Sequence, residues 1–149
     1  MLKKWVGRLA VAAVAIGTMV GVSPDAPASA SVCTTRNCGG VITNTQSKGI
    51  FVANNWCWSN KTRYYGNTLP CAPTWSDSSY QSYFLLLSGD STADFYYFYD
   101  TDAFRVDAGC KVIMTDGGGY FAFDNLGGSQ PMWAKISNVS KVRVANYFC

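Results

Sequence analysis

Few residues in this chain could do acid–base or nucleophilic chemistry, because the sequence contains neither histidine nor glutamate. The absence of histidine excludes Ser-His-Asp and Cys-His catalysis. A Ser–Lys or an Asp–Asp pair remains for a hydrolase, and neither has a recognisable local signature here. We therefore expect a protein that is not an enzyme and that acts by binding.

The densest group of carboxylates is Asp100 and Asp102, with Asp107 nearby. As hard oxygen donors they could hold calcium, but the segment lacks the glycine and the bidentate glutamate of a calcium loop. A turn in which the aspartates accept backbone hydrogen bonds is the preferred interpretation. The glycine run at residues 117–119 lacks the lysine of a phosphate loop and indicates a hairpin turn. We expect no metal and no cofactor.

The cysteines predict disulfide bonds. Their number is even, their spacing does not repeat a zinc pattern, and no histidine is present to complete a zinc site. Fifteen pairings are open to six cysteines, and pairing of nearest neighbours is the preferred one. It joins Cys33 to Cys38, Cys57 to Cys71, and Cys110 to Cys149.

The first thirty residues are typical of a secretory signal peptide. Lys3, Lys4 and Arg8 precede an apolar run at 9–22, and Ala-Ser-Ala at 28–30 suits a signal peptidase. The run is shorter than the roughly 20 residues that span a bilayer. We expect a secreted, extracellular protein, with a signal peptide at 1–30, an extension at 31–40 and a single β domain at 41–149. Removing the signal removes three of twelve basic and one of nine acidic residues, so the remaining chain is nearly neutral and does not favour nucleic acid.

Aromatic and β-branched runs separated by Gly, Asn, Asp, Ser and Pro predict strands after residue 40. The pattern favours an all-β domain, a small disulfide-stapled sandwich or barrel that follows an extended N-terminal segment. Residues 80–87 alone show helical spacing and could form one short helix or a structured loop. In the last strand Val142, Val144 and Tyr147 are the apolar positions, and Lys141 and Arg143 take the opposite face before a local break at Ala145. The predicted strands are 49–53, 56–59, 62–65, 95–99, 104–107, 110–115, 120–123, 133–137 and 141–147.

Two aromatic groups need a second layer or a ligand. A strand at 95–99 would be aromatic on both faces, so one face must meet a loop, a layer or a partner. A second group could stack on sugars or fill the core beside the Cys57–Cys71 bridge, and core packing is the preferred interpretation. Its members are Trp56, Trp58, Tyr64, Tyr65 and Trp75.

The segment that most indicates a function is the short loop between Cys33 and Cys38. We expect the two glycines that follow it, Gly39 and Gly40, to form a flexible hinge. A disulfide-closed loop with one central arginine loses little conformational entropy on binding. It could enter a protease-like groove by strand addition, with Arg36 in a specificity pocket, or simply protect the chain from exopeptidases. The candidate partner-binding residues are Val32, Cys33, Thr34, Thr35, Arg36, Asn37 and Cys38.

Two stretches carry a resemblance to a known family. Residues 99–110 read YDTDAFRVDAGC and residues 133–138 read WAKISN. With the signal peptide, short extension and disulfide-tied β domain, they resemble the adaptor subunit of Streptomyces umbrella toxin particles. The resemblance implies a non-enzymatic linker in an antibacterial complex. Its extension, here 32–38, would enter the cleft of a trypsin-like, lectin-bearing subunit, while its domain would dock on the large toxin polypeptide.

The leading expectation is therefore an adaptor of a secreted antibacterial complex, with other secreted proteins as its partners. Two alternatives stay open. One is a secreted serine-protease inhibitor that uses the same loop with Arg36 in a trypsin-like pocket. The other is a cell-wall or carbohydrate-binding module that uses exposed tryptophans.

Overall fold

The computed structural model describes residues 33–71, 83–137 and 140–149. Within these ranges the chain forms nine β-strands and two 3₁₀ turns, Thr92–Asp94 and Tyr96–Phe98. The predicted signal peptide at 1–30 lies outside the described residues. The strands are β1 (Val41–Asn44), β2 (Ile50–Ala53), β3 (Arg63–Tyr65), β4 (Tyr83–Leu86), β5 (Ala103–Val106), β6 (Cys110–Thr115), β7 (Tyr120–Asn125), β8 (Met132–Lys135) and β9 (Lys141–Phe148).

The strands form two sheets. The first has the order β1-β9-β6-β7, and the second has the order β3-β8-β5-β2-β4. Strand β1 runs parallel to β9, and the other paired strands are antiparallel. Two separate sheets that face each other make this a sandwich, which confirms the all-β expectation.

The main core lies between the two sheets and follows the two-residue period of the strands. Val52 and Phe104 point into it from the second sheet, Val112 and Val144 from the first, and all four are fully buried. The Phe104 and Phe123 rings meet edge to face across the sheets, with centroids 4.6 Å apart. Alternation of apolar and polar residues thus decides which side chains hold the sheets together.

The predicted break in the last strand is confirmed. The register between β6 and β9 shifts so that Asn146 and Val144 have successive partners on β6 and Ala145 is left out as a β-bulge. The bulge returns Tyr147 to the core face, where it packs against the main core. Its hydroxyl accepts a hydrogen bond from the Asp107 amide at 3.2 Å.

Asp107 is also the centre of a small charge network at this end of the sandwich. Its carboxylate lies 3.1 Å from the Lys48 ammonium and 3.0 Å from the Arg105 guanidinium. Burial opposes ionisation of Asp107, but hydrogen bonds from Lys48 and Tyr147 and the charge of Arg105 outweigh it and lower its pKa. The network therefore joins the β1–β2 loop to β5 and β9.

A second, smaller core covers the outer face of the five-stranded sheet. Trp133 is fully buried there, beside Ala53 and Ala103. Trp56 and Leu69 close over it from the connection between β2 and β4, which contains β3. The connection is closed by the Cys57–Cys71 bond, so the disulfide holds this outer layer in place.

The preferred cysteine pairing is confirmed. The structure joins Cys33 to Cys38, Cys57 to Cys71, and Cys110 to Cys149. The last bond ties the start of β6 to the end of the chain beyond β9. Each bond closes a different part of the molecule: the first loop, the outer layer and the four-stranded sheet.

The predicted strand at 95–99 is wrong, and its aromatic content explains why. The chain turns there in 3₁₀ geometry, in which residues three apart share a side. Phe95 and Phe98 both contact Phe84, with centroids at 4.8 and 4.3 Å, while Tyr96 and Tyr99 face each other at 5.6 Å. In a strand, Phe95 and Phe98 would lie on opposite faces, as would Tyr96 and Tyr99. The 3₁₀ turn instead places the two members of each pair on the same side.

Three further strand-level expectations differ from the structure. The helical option over 80–87 is wrong where it is described, because Tyr83–Leu86 pairs with β2 and alternates between the two cores. Residues 56–59 are a loop rather than a strand. The sequence pattern does not predict strand β1. Its partner β9 is distant in the sequence, so its pairing leaves little local signal.

Asn44 is a fully buried polar side chain that fastens the β1–β2 connection. Its amide donates to the carbonyls of Lys48 at 2.9 Å and Leu86 at 3.1 Å, and its carbonyl accepts from the Gln46 amide at 3.0 Å. We expect Asn44→Ala to reduce the free energy of unfolding by about 2–4 kcal/mol, because it leaves these backbone groups unpaired. Urea unfolding measures this, with the exposed Asn146→Ala as the control. Equal losses in the two variants would contradict the assignment.

Candidate protein-interaction surface at the N-terminal loop

Residues 33–38, here called the N-terminal loop, form a reverse turn closed by a disulfide bond. The Cys38 amide donates to the Thr35 carbonyl at 3.2 Å, which places Arg36 and Asn37 at the two central positions. Asn37 has a φ of 64° and is the only described non-glycine residue with a positive φ. Asparagine tolerates this conformation better than most residues. The loop is therefore turned rather than extended, and its turn presents Arg36.

Substitution of Asn37 tests whether this turn shapes the loop. We expect Asn37→Val to cost about 1–2 kcal/mol of loop order, because a β-branched residue resists the left-handed conformation. The effect appears as a roughly tenfold lower equilibrium constant for closing the Cys33–Cys38 bond in a glutathione redox titration. Asn37→Gly is the matched control and is expected to close as readily as the native loop. A valine variant that closes equally well would show that the turn adds nothing.

Gly39 and Gly40 anchor the loop to the domain, so the prediction of a flexible hinge is wrong. Both residues are buried. The Gly39 amide donates to the Tyr99 carbonyl at 3.2 Å, and the Gly40 carbonyl accepts from the Thr101 amide at 2.9 Å. The Gly40 amide donates to the Asp100 carboxylate at 3.2 Å. Glycine is needed here for close approach, because an added Cβ at either position would overlap this segment.

The arginine at the turn is paired with the domain. The Arg36 guanidinium forms a hydrogen-bonded ion pair with the Asp94 carboxylate. Both side chains remain largely exposed, at 61% and 52%. An ion pair this exposed contributes only about 0–1 kcal/mol. The pair therefore orients Arg36, but a partner could displace Asp94 at little energetic cost.

An aromatic strip lies next to the loop on the same segment that anchors it. We give this name to Phe95, Tyr96 and Tyr99, which follow Asp94 in the chain. Phe95 and Tyr96 are 37% and 47% exposed, and the Tyr99 carbonyl receives the Gly39 amide. Tyr96 and Tyr99 lie on one side of the 3₁₀ turn and Phe95 contacts Phe84 on the other, so the strip adjoins the loop at the Gly39–Tyr99 hydrogen bond.

The carboxylates beneath the loop have raised pKa values. Burial raises the pKa of Asp100, against the hydrogen bond from the Gly40 amide. Burial also raises the pKa of Asp102 to about 7, the charge of Asp100 adds to this, and Lys135 opposes it. Asp102 is only 4% exposed. The preferred interpretation of this segment as a turn is supported at Asp100, which accepts a backbone hydrogen bond as expected.

The structure brings most of the predicted loop residues together and adds new ones. Thr34, Thr35, Arg36 and Asn37 are all exposed on the loop, and Val32 lies outside the described residues. Sequence reasoning missed Asp94 as the partner of Arg36. The charged pair is 58 positions apart, so no local pattern joins the two residues. The aromatic composition of residues 95–99, which requires a second layer or a partner, is the one sequence feature that points to the aromatic strip.

The proposed sugar platform is largely interior. Trp56 is buried, and its indole nitrogen donates to the Lys61 carbonyl at 2.7 Å. The Trp58 and Tyr64 rings stack at 4.7 Å and pack against the second core. Tyr65 is exposed, while Trp75 lies outside the described residues. The packing interpretation therefore accounts for Trp56, Trp58 and Tyr64.

The described residues contain no cluster of three or more cysteines or aspartates arranged to hold a metal ion. In the same part of the chain, no helix has the length and apolar character needed to cross a membrane. No protein-family model matches the sequence, and neither the curated proteins nor the solved structures include a significant match.

Proposed function

We propose that this protein is a secreted, non-enzymatic adaptor that joins other secreted proteins in an antibacterial toxin complex. The N-terminal loop enters a cleft of one partner, and the β domain docks on another. The observation that carries the proposal is the anchored, disulfide-closed turn that presents Arg36 beside an exposed aromatic strip. The three disulfide bonds suit an oxidising, extracellular compartment.

The chemistry of the loop defines the cleft that would receive it. Because the disulfide, the Thr35–Cys38 turn and the anchored glycines hold its shape, the loop orders little further on binding. Arg36 already contacts a carboxylate, so a competing cleft must offer one of its own. A carboxylate buried at the bottom of a pocket binds a guanidinium more strongly than the exposed Asp94 does. The first partner is thus a protein with a narrow acidic pocket.

The domain offers further apolar surface for a second partner. Leu85 is exposed on β4, which is an edge strand of the five-stranded sheet, and Leu87 is exposed just beyond it. Edge strands with exposed apolar side chains are common docking elements. Leu85 and Leu87 lie on and just after β4, whereas Arg36 lies on the turn that precedes β1. One molecule could therefore contact two partners at once, as an adaptor must.

Co-purification tests the proposal. Tagged protein is expressed in its source organism and recovered from the culture supernatant with its bound proteins. We expect at least one partner to be lost or reduced about tenfold with Arg36→Ala, because the charged hydrogen bonds to its pocket disappear. Arg63→Ala, which removes an exposed arginine from β3, is the matched control. Recovery of the native protein alone under every growth condition would overturn the proposal.

A serine-protease inhibitor is the second candidate, and the position of Arg36 in a disulfide-closed loop favours it. The two functions differ in one assay. An inhibitor blocks active trypsin at a one-to-one ratio, whereas an adaptor binds an inactive relative and leaves trypsin activity unchanged. The turned backbone at Thr35–Cys38 does not supply the extended main chain that strand addition needs, so in either function the contact would depend on Arg36 and the closed turn.

A further inference from the structure

The outer face of the four-stranded sheet contains an open cavity of about 270 Å³. It lies between β1, β9 and the turn that joins β6 to β7, and neither the loop nor the aromatic strip contributes to it. Its polar lining includes Lys141 and Arg143 from β9, Thr43 from β1 and Thr115 from β6. Any ligand of this cavity would therefore bind independently of the proposed adaptor function.

The strand register explains why the basic side chains meet here. Arg143 is the partner of Thr43 in β1 and of Thr115 in β6, so it lies between the two threonines. Lys141 precedes it by two positions and points to the same face. Both basic residues are exposed, while the residues that alternate with them are buried. The sheet thus brings two cations and two hydroxyls to one cavity.

The two cations have no counter-ion in the described structure. In the part of the chain that is described, no carboxylate lies within 4.0 Å of Lys141 or Arg143, whereas Lys111 on the same face pairs with Asp124 at 3.3 Å. Asp116 lines the cavity, but its Oδ1 accepts the amides of residues 118 and 119 at 2.9 and 3.1 Å. Asp116 is thereby held in the turn. Two neighbouring positive charges repel each other, and an anion bound between them would offset that repulsion.

We propose that this cavity binds an oxyanion, namely a phosphate or sulfate group. The Arg143 guanidinium and the Lys141 ammonium supply charged donors. The Thr115 hydroxyl accepts a hydrogen bond from the Gly117 amide at 3.1 Å, so its own proton is available to donate to the anion. The cavity is larger than one inorganic phosphate, which leaves room for the group that carries the anion.

Titration with simple anions, followed by amide NMR, tests this site. The probes are inorganic phosphate, inorganic sulfate and a glycerol phosphodiester oligomer, each added at constant ionic strength. We expect saturable shifts confined to the amides around residues 115–119 and 141–143. Arg143→Gln and Lys141→Gln should each weaken binding about tenfold. Lys111→Gln, which removes a paired charge from the same sheet face, should leave binding unchanged.

The probes also distinguish the source of the anion. Tighter binding of the oligomer than of phosphate would assign the site to a polymer, and the reverse order would assign it to a small molecule. Either result supports an oxyanion site. The proposal is overturned if no probe saturates by 50 mM, a concentration on the order of the weakest useful affinity. It is equally overturned if the Lys111→Gln and Arg143→Gln variants respond alike, since the shifts would then report general ionic effects.

Discussion

Replacement of Asp102 by asparagine is expected to stabilise the folded protein at pH 8 by a few kcal/mol. Burial raises the pKa of Asp102 from 3.8 to about 7, so the native protein at pH 8 contains an ionised carboxylate in an unfavourable place. Asparagine has nearly the same shape and no charge. A shift of this size corresponds to a free-energy difference on the order of a few kcal/mol.

The pH dependence has a definite sign. Below about pH 4, Asp102 is protonated in both the folded and the unfolded chain, and its contribution to stability is fully present. Between about pH 4 and 7 the unfolded chain loses its proton first, so stability falls as the pH rises through the folded pKa. Asp107, whose pKa is lowered, acts in the opposite direction and only at more acidic pH. The two aspartates therefore affect different pH windows.

Thermal unfolding from pH 4 to pH 8 checks this prediction. The native protein should lose stability across this range, and Asp102→Asn should remove most of the loss while matching the native protein near pH 4. Asp90→Asn, which removes a more exposed carboxylate, is the control and should follow the native curve. If Asp102→Asn were less stable than the native protein at pH 8, the carboxylate would be a stabilising partner and our interpretation of its burial would be wrong.

Replacement of Gly40 by alanine is expected to detach the N-terminal loop from the domain. An added Cβ would overlap the Thr101 carbonyl and approach the Ile136 side chain to 3.0 Å, so backbone must move. Overpacking of this kind costs about 1–3 kcal/mol. The same movement would break the hydrogen bonds that join Gly40 to Asp100 and Thr101. The Arg36–Asp94 pair is then expected to lose its fixed geometry.

Two measurements follow this change. Amide hydrogen exchange at Gly39 and Thr101 should become at least tenfold faster, and urea unfolding should report the lost stability. Gly119→Ala is the matched control, because a Cβ there meets nothing within 4 Å and its φ is not positive. If Gly40→Ala exchanged and unfolded like Gly119→Ala, the glycine pair would be the hinge that its sequence suggests rather than an anchor.

Local pattern predicted the strands that alternate in composition. The sequence predicts β6 with its observed bounds, and the predicted break at Ala145 coincides with the bulge in β9. The nearest-neighbour pairing of cysteines was also correct. These features depend on residues close in the sequence, and the two-residue period of a strand leaves a clear trace there.

Contacts between distant residues were not predictable in the same way. Arg36 meets Asp94, and Gly40 meets Asp100, across about sixty residues each. The glycine pair has the composition of a hinge, and only the neighbouring segment makes it an anchor. The aromatic run at 95–99 likewise has the composition of a strand. It turns because Phe95 and Phe98 can both reach Phe84 in 3₁₀ geometry.

By itself, the sequence determined an all-β, disulfide-bonded domain with a constrained arginine loop and no histidine-dependent chemistry. Composition, cysteine parity and strand alternation suffice for those conclusions, because each is a local property of the chain. Only the tertiary structure decided where the loop is held and which cations share a cavity. Strand order decides both, since β9 lies between β1 and β6 and so brings Arg143 beside Thr43 and Thr115. That order arises from packing between the two sheets, and no short stretch of sequence encodes it.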